Sequence, residues 1–87
     1  MEMKNKTPKP EHHAMRDEIL AVMKKHARTM NAEEILAIIS HLCGQVIALQ
    51  DQRTMTREQA LEIVGKNIEQ GNMEAVAMVS KTIGGKQ

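Results

Sequence analysis

ILAIISHLCGQVIALQ, residues 35–50, is the stretch that decides the fold, because it has no charged side chain and charged residues flank it on both sides. On a helical wheel at about 100° per residue, its apolar side chains cover an arc of roughly 180°. A surface helix of a globular protein needs only about 100° of apolar face. We therefore predict a central helix on which at least two other helices pack. The apolar arc consists of Ile35, Leu36, Ile38, Ile39, Leu42, Cys43, Val46, Ile47 and Leu49.

The other side of this predicted helix carries small residues: Ser40, Gly44 and Ala48 follow one another at intervals of four. Small residues allow a second backbone to approach closely, a pattern best established for helices in membranes. Glycine inside a helix costs about 1 kcal/mol relative to alanine, so Gly44 indicates either close packing or a tolerated loss. A membrane span would need roughly 20 apolar residues. Residues 35–50 are fewer and include His41 and Gln45, so we predict no membrane association.

The composition predicts one small domain with a thin core. The chain has 87 residues, a net charge of +1 and no Phe, Tyr or Trp. A core without large rings favours oligomerisation as a source of further burial, and the balanced charge gives no general attraction to nucleic acid. The single cysteine, Cys43, excludes an intramolecular disulfide and leaves an intermolecular one open. Because residues 1–11 lack the apolar segment of a signal peptide, we expect a cytoplasmic protein.

The chain divides into a predicted disordered basic tail at residues 1–9, a single helical domain at residues 10–84 and a short tail at residues 85–87. Pro10 suits the first turn of a first helix. Asn31 and Glu34 form the pattern of a capping box at the start of the central helix. The connection between these two helices is short, so they are expected to form an antiparallel hairpin. The apolar stripe of the first helix is formed by Met15, Ile19, Val22, Met23 and Met30.

Two shorter helices are predicted after the hairpin. Thr56 and Gln59 form a second capping-box pattern. Gly71 is a typical helix end, and Asn72 is a typical cap for a following helix. The predicted fold is therefore all-α, a small helical bundle of about four helices that forms a dimer.

No pattern of catalytic or metal-binding residues is evident in the sequence. His41 and Cys43 are two residues apart, which places them about 200° apart on a helix, so they cannot form a nucleophile–base pair within one chain. His12, His13 and Asp17 lack the spacing of an HExxH motif or a cysteine–histidine cluster. We predict no cofactor and no bound metal.

The predicted function is that of a non-enzymatic protein-interaction or regulatory protein, which binds itself as a homodimer and also binds another protein. The eight methionines add adaptable apolar surface of the kind that promiscuous binding proteins use. His26 falls on the stripe of the first helix, either as a packed histidine with hydrogen-bonded nitrogens or as a protonation switch at a helix interface. The predicted interface comprises Met15, Ile19, His26, Ile38, Ser40, Leu42, Gly44, Val46, Ala48 and Leu49.

Two alternatives stay open. The first is a nucleic-acid-associated regulator that uses Lys24, Lys25 and Arg28 together with the basic tail. A helix-turn-helix at residues 56–81 would fit this class, but its second helix lacks the Arg, Asn and Gln side chains that read bases. The second alternative is a small enzyme or enzyme subunit with a pocket lined by His26 or His41.

Overall fold

The computed structural model describes the backbone of residues 1–4 and 6–84 and the side chains of residues 1–4 and 6–80. These residues form three α-helices: α1 at Pro10–His26, α2 at Ala32–Ala48 and α3 at Arg57–Gly84. The all-α class is thus confirmed. The predicted tail at residues 85–87 lies outside the described residues. The division into a tail at residues 1–9 and one domain at residues 10–84 stays a prediction.

Both predicted capping boxes are present. At the start of α2, the Asn31 Oδ1 accepts a hydrogen bond from the Glu34 N–H at 2.9 Å, and the Glu34 Oε1 accepts one from the Asn31 N–H at 3.4 Å. At the start of α3, the Thr56 Oγ1 accepts from the Gln59 N–H at 3.1 Å, and the Gln59 Oε1 accepts from the Thr56 N–H at 2.9 Å. These bonds satisfy backbone donors that the first helical turn leaves without partners.

Replacing Asn31 with alanine should destabilise the protein by about 1 kcal/mol, because the first turn of α2 loses its side-chain acceptor. The midpoint of urea denaturation measures this loss. Asn31→Ser, which retains an acceptor oxygen, is the matched control and should lose much less. Equal losses in the two variants would show that the cap is not their source.

The structure corrects the prediction of four helices. α3 continues without a break through Gly71 and Asn72, the predicted end and restart. The Gln70 Nε2 donates to the Glu74 Oε1 at 3.2 Å across this position. A glycine inside a helix costs about 1 kcal/mol, whereas ending one helix and starting another leaves several backbone groups without helical partners. The local stop signal is therefore too weak to end the helix.

The small core lies between α2 and α3, which pack against each other. Among the described side chains, only Ala60 of α3 is buried, with 4% of its surface exposed. α1 contributes no buried residue. The half-buried apolar side chains of α2 and α3 are Ile35, Ile39, Cys43, Ile47, Ile63 and Val64.

The chain is extended for its length. Its radius of gyration is 15.2 Å, against about 12 Å for a compact domain of this size. Its accessible surface is 7607 Å², which is roughly 2,400 Å² more than a compact monomer of the same mass exposes. One cause is α3, whose 28 residues span about 42 Å at 1.5 Å per residue.

The first residues of the chain lie against α3. The Glu2 N–H donates to the Asn67 Oδ1 at 2.8 Å, and the Asn67 Nδ2 donates to the Glu2 carbonyl oxygen at 2.8 Å. The Lys4 Nζ donates to the carbonyl oxygen of Thr54. The Asn67 side chain therefore forms hydrogen bonds with both the backbone N–H and the backbone carbonyl of Glu2.

The loop between α2 and α3 contains an exposed ion pair. The Arg53 side chain donates to both carboxylate oxygens of Asp51 at 3.1 Å, and its backbone N–H donates to the Asp51 Oδ1 at 3.0 Å. Hydrogen bonds from the side chain and then the backbone of Arg53 lower the pKa of Asp51. Within the described residues, no helix combines the length and the apolar character that crossing a bilayer requires.

Candidate functional site

An open apolar groove lies between α1 and α2. Its volume is about 400 Å³, and Glu18 and His26 are the two ionisable side chains that line it. The rest of its lining is aliphatic or methionine and comes from both helices and the turn between them. We call this surface the α1–α2 groove, and its apolar lining consists of Ile19, Val22, Met23, Met30, Ile35, Ile38, Ile39 and Leu42.

The large side chains of the groove are open to solvent. Val22 of α1 is 56% exposed, and Ile38 and Leu42 of α2 are each 47% exposed. Val46 and Leu49 extend the exposed apolar surface along α2. Scattered single apolar residues are normal on a surface, but a contiguous apolar patch marks an interaction site.

The local sequence explains this arrangement. The stripe of α1 and one edge of the apolar arc of α2 both face the groove, on either side of the connection at residues 27–31. The N–H groups of Thr29 and Met30 both donate to the His26 carbonyl oxygen at 3.0 Å, which forms the turn. The other edge of the α2 arc is occupied by α3, so nothing in the described part of the chain fills the groove.

All ten predicted interface residues are exposed. Four of them line the groove, namely Ile19, His26, Ile38 and Leu42. The prediction missed the other six lining residues. Helical spacing had already placed five of them on the predicted apolar faces, and the sixth is the charged Glu18. These five are Val22, Met23, Met30, Ile35 and Ile39. Met15 of α1, Val46 of α2 and Leu49, which follows the last residue of α2, do not line the groove. Ser40, Gly44 and Ala48 lie on another side of α2.

Gly44 faces open space, since among the described residues no atom outside its chain neighbours and its own helical backbone lies within 4 Å of the position that a Cβ would take. Gly44→Ala should therefore raise the free energy of unfolding by about 1 kcal/mol. Gly65→Ala in α3 is the matched control because its surroundings are equally open. Urea denaturation measures both. If Gly44→Ala lowered the free energy of unfolding while Gly65→Ala raised it, another backbone would have to pack against the side of α2 formed by Ser40, Gly44 and Ala48.

His26 is exposed where it lines the groove. No hydrogen bond in the described part of the chain reaches its ring nitrogens, which differs from the predicted packed histidine. The physical reason is that α1 and α2 leave the groove between them open, so no neighbouring side chain reaches the ring. The protonation-switch hypothesis stays a prediction.

His41 and His12 make local contacts within the described residues. The His41 Nε2 lies 3.4 Å from the Gln45 Nε2, and Cys43 is a half-buried free thiol. The His12 Nδ1 accepts a hydrogen bond from the Lys9 N–H at 2.8 Å. Among the described residues, no group of three or more His, Cys, Asp or Glu side chains could hold a metal ion. The groove as it stands can bind apolar side chains.

A second exposed apolar surface lies at the far end of α3. Every side chain from residue 71 to residue 80, which we call the α3 overhang, is exposed. Met73, Val76 and Val79 are exposed by 63%, 55% and 58%. Within residues 73–80, six of the eight side chains are apolar and only Glu74 is charged. A solvated helix end normally carries a polar face instead.

A basic cluster lies at the end of α1. Lys24 and Lys25 are in its last turn, and Arg28 follows in the connection to α2. All three are exposed, and none takes part in an ion pair within the described residues. Cations at this position complement the negative end of the helix dipole.

No protein-family model, no curated protein and no solved structure matches this chain. Its function is therefore inferred from its own residues and geometry.

Proposed function

We propose that the protein is a non-enzymatic interaction or regulatory protein that acts as a homodimer, with the α1–α2 groove in its interface. The observation that supports this proposal most is the exposed apolar lining of the groove, in which Val22, Ile38 and Leu42 each keep about half of their surface in water. Solvent-exposed apolar surface of this extent is unfavourable, and association removes it from water.

The surface area supports an interface of the size found in stable dimers. The chain exposes roughly 2,400 Å² more than a compact monomer of its mass. Obligate homodimers bury about 2,000–5,000 Å² in total, and their interfaces are more apolar than those of transient complexes. If each of the two copies buries most of its excess surface on association, the total buried area falls within the range for obligate homodimers. The absence of aromatic residues makes such burial more important, since the core within one chain is small.

Sedimentation equilibrium at micromolar concentration tests the proposal. We expect a single species with twice the mass of one chain, and we expect it to persist at high salt because apolar burial is not screened by ions. Far-UV circular dichroism on the same samples reports whether the helices are formed. A helical monomer at these concentrations would contradict the proposed function.

The homodimer is proposed to act by binding another protein, with methionines on its surface as adaptable contacts. The nucleic-acid alternative has less support, because the position of Lys24 and Lys25 at the end of α1 is explained by the helix dipole and Lys4 donates to Thr54. Retention on DNA at low salt distinguishes the two. Phosphate contacts produce binding that weakens steeply with salt, and we expect no such binding.

A further inference from the structure

We propose that the α3 overhang of one copy lies in the α1–α2 groove of a second copy, so that two chains exchange the ends of their long helices. The inference rests on the proposed function as a homodimer and names the segment that fills the groove. It brings together two features of the described residues, namely an open apolar groove and a helix end on which Met73, Val76 and Val79 are exposed.

The chemistry of the overhang matches that of the groove. Met73, Val76 and Val79 follow one another at intervals of three, so they lie along one side of the helix. The groove offers aliphatic and methionine side chains to this stripe. Glu74 falls about 160° from Val76 on the helical wheel, which leaves the only charge of residues 73–80 on the opposite side. The overhang can therefore enter the groove without burying a charge.

A second copy suits the groove better than the overhang of the same chain. For α3 to fold back onto its own α1 and α2, the helix would have to break near Gly71. The structure instead shows a continuous helix there, with a hydrogen bond from Gln70 to Glu74. Gly71 and Asn72 nevertheless form a helix-stop pattern, as expected at the hinge of an exchanged segment. A hinge that is extended in each copy is the arrangement of domain swapping.

The exchange also fits the symmetry and size of a dimer. In a reciprocal exchange each copy supplies one groove and one overhang, and a twofold axis relates the two contacts, which closes the assembly at two copies. Contact between the grooves alone would leave the overhang in water.

Disulfide trapping between two single-cysteine variants tests the exchange. In a Cys43→Ser background, one variant carries Val22→Cys in the groove and the other carries Val76→Cys on the overhang. Both positions are more than half exposed, at 56% and 55%, so both substitutions should leave the fold intact. The two proteins are mixed, allowed to exchange subunits and oxidised mildly. We expect a disulfide-linked dimer in the mixture at least tenfold more abundant than in either variant alone.

Lys66→Cys replaces Val76→Cys in the control mixture, because Lys66 lies on the exposed side of α3 in an ion pair with Glu62. This mixture should give no linked dimer above background. Equal linkage in the two mixtures would show random collision and would overturn the exchange.

Other outcomes separate the exchange from the proposed function. Linkage of the Val22→Cys variant with itself, without linkage to Val76→Cys, would indicate two grooves packed face to face, so the exchange would fail and the homodimer would stand. A chain that carries both substitutions distinguishes the fold-back arrangement. An internal disulfide in a species with the mass of one chain would overturn both the exchange and the homodimer.

Discussion

Replacing Leu42 with glutamate should convert the dimer into a folded monomer at micromolar concentration. Leu42 is 47% exposed on the wall of the groove, so the substitution should leave the helices of one chain intact. In the dimer, the change removes about 1.5–3 kcal/mol of leucine burial and adds the larger cost of a carboxylate in an apolar site. A twofold interface contains the change twice. We expect the dissociation constant to rise by more than about 1,000-fold, as measured by sedimentation equilibrium.

The matched control is Ser40→Glu, which introduces the same charge on the same helix. Ser40 is exposed and lies about 160° from Leu42 on the helical wheel, outside the groove. The dissociation constant of this variant should stay close to that of the unsubstituted protein. Dissociation by Ser40→Glu but not by Leu42→Glu would move the interface to the side of α2 that carries Ser40, Gly44 and Ala48.

Val76→Glu should also dissociate the dimer, because the exchange places this side chain in the groove of the second copy. The expected weakening is at least about 100-fold, since a charge replaces an apolar contact in a groove whose lining is mostly aliphatic or methionine. The variant should keep its helical content, as Val76 is exposed within one chain.

Glu74→Lys is the matched control for Val76→Glu, since it changes a charge two residues away on the opposite side of α3. We expect little change in its dissociation constant. If Val76→Glu associates as tightly as the unsubstituted protein, the overhang is not in the interface. In that case Leu42→Glu still reports on the groove.

The elements that the sequence predicted well depend on local interactions. The starts of α2 and α3 follow from residues three apart, such as Asn31 with Glu34, whose bonds form within one turn. The break at Gly71 was also predicted from local signals, and it was wrong. A glycine costs about 1 kcal/mol in a helix, which the continuing backbone hydrogen bonds of a 28-residue helix outweigh.

The groove could be predicted only in part. Helical spacing placed Ile19, Ile38 and Leu42 on apolar faces, because the direction of a side chain follows from its position in the turn. Spacing does not report how far apart two helices lie, so the opening between α1 and α2 was not foreseen. The overhang was missed for a related reason. The prediction ended a helix at Gly71 and assigned the following residues to a separate fourth helix, whereas they continue α3.

The contact between Asn67 and the backbone of Glu2 has a consequence for how the protein can vary. Both hydrogen bonds join the amide side chain of Asn67 to the backbone of Glu2, so neither depends on which side chain residue 2 carries. Any substitution of Glu2 that retains a backbone N–H should therefore preserve both hydrogen bonds, and proline is the exception. The attachment of residue 2 to α3 therefore depends on the side chain of Asn67 rather than on the side chain of Glu2.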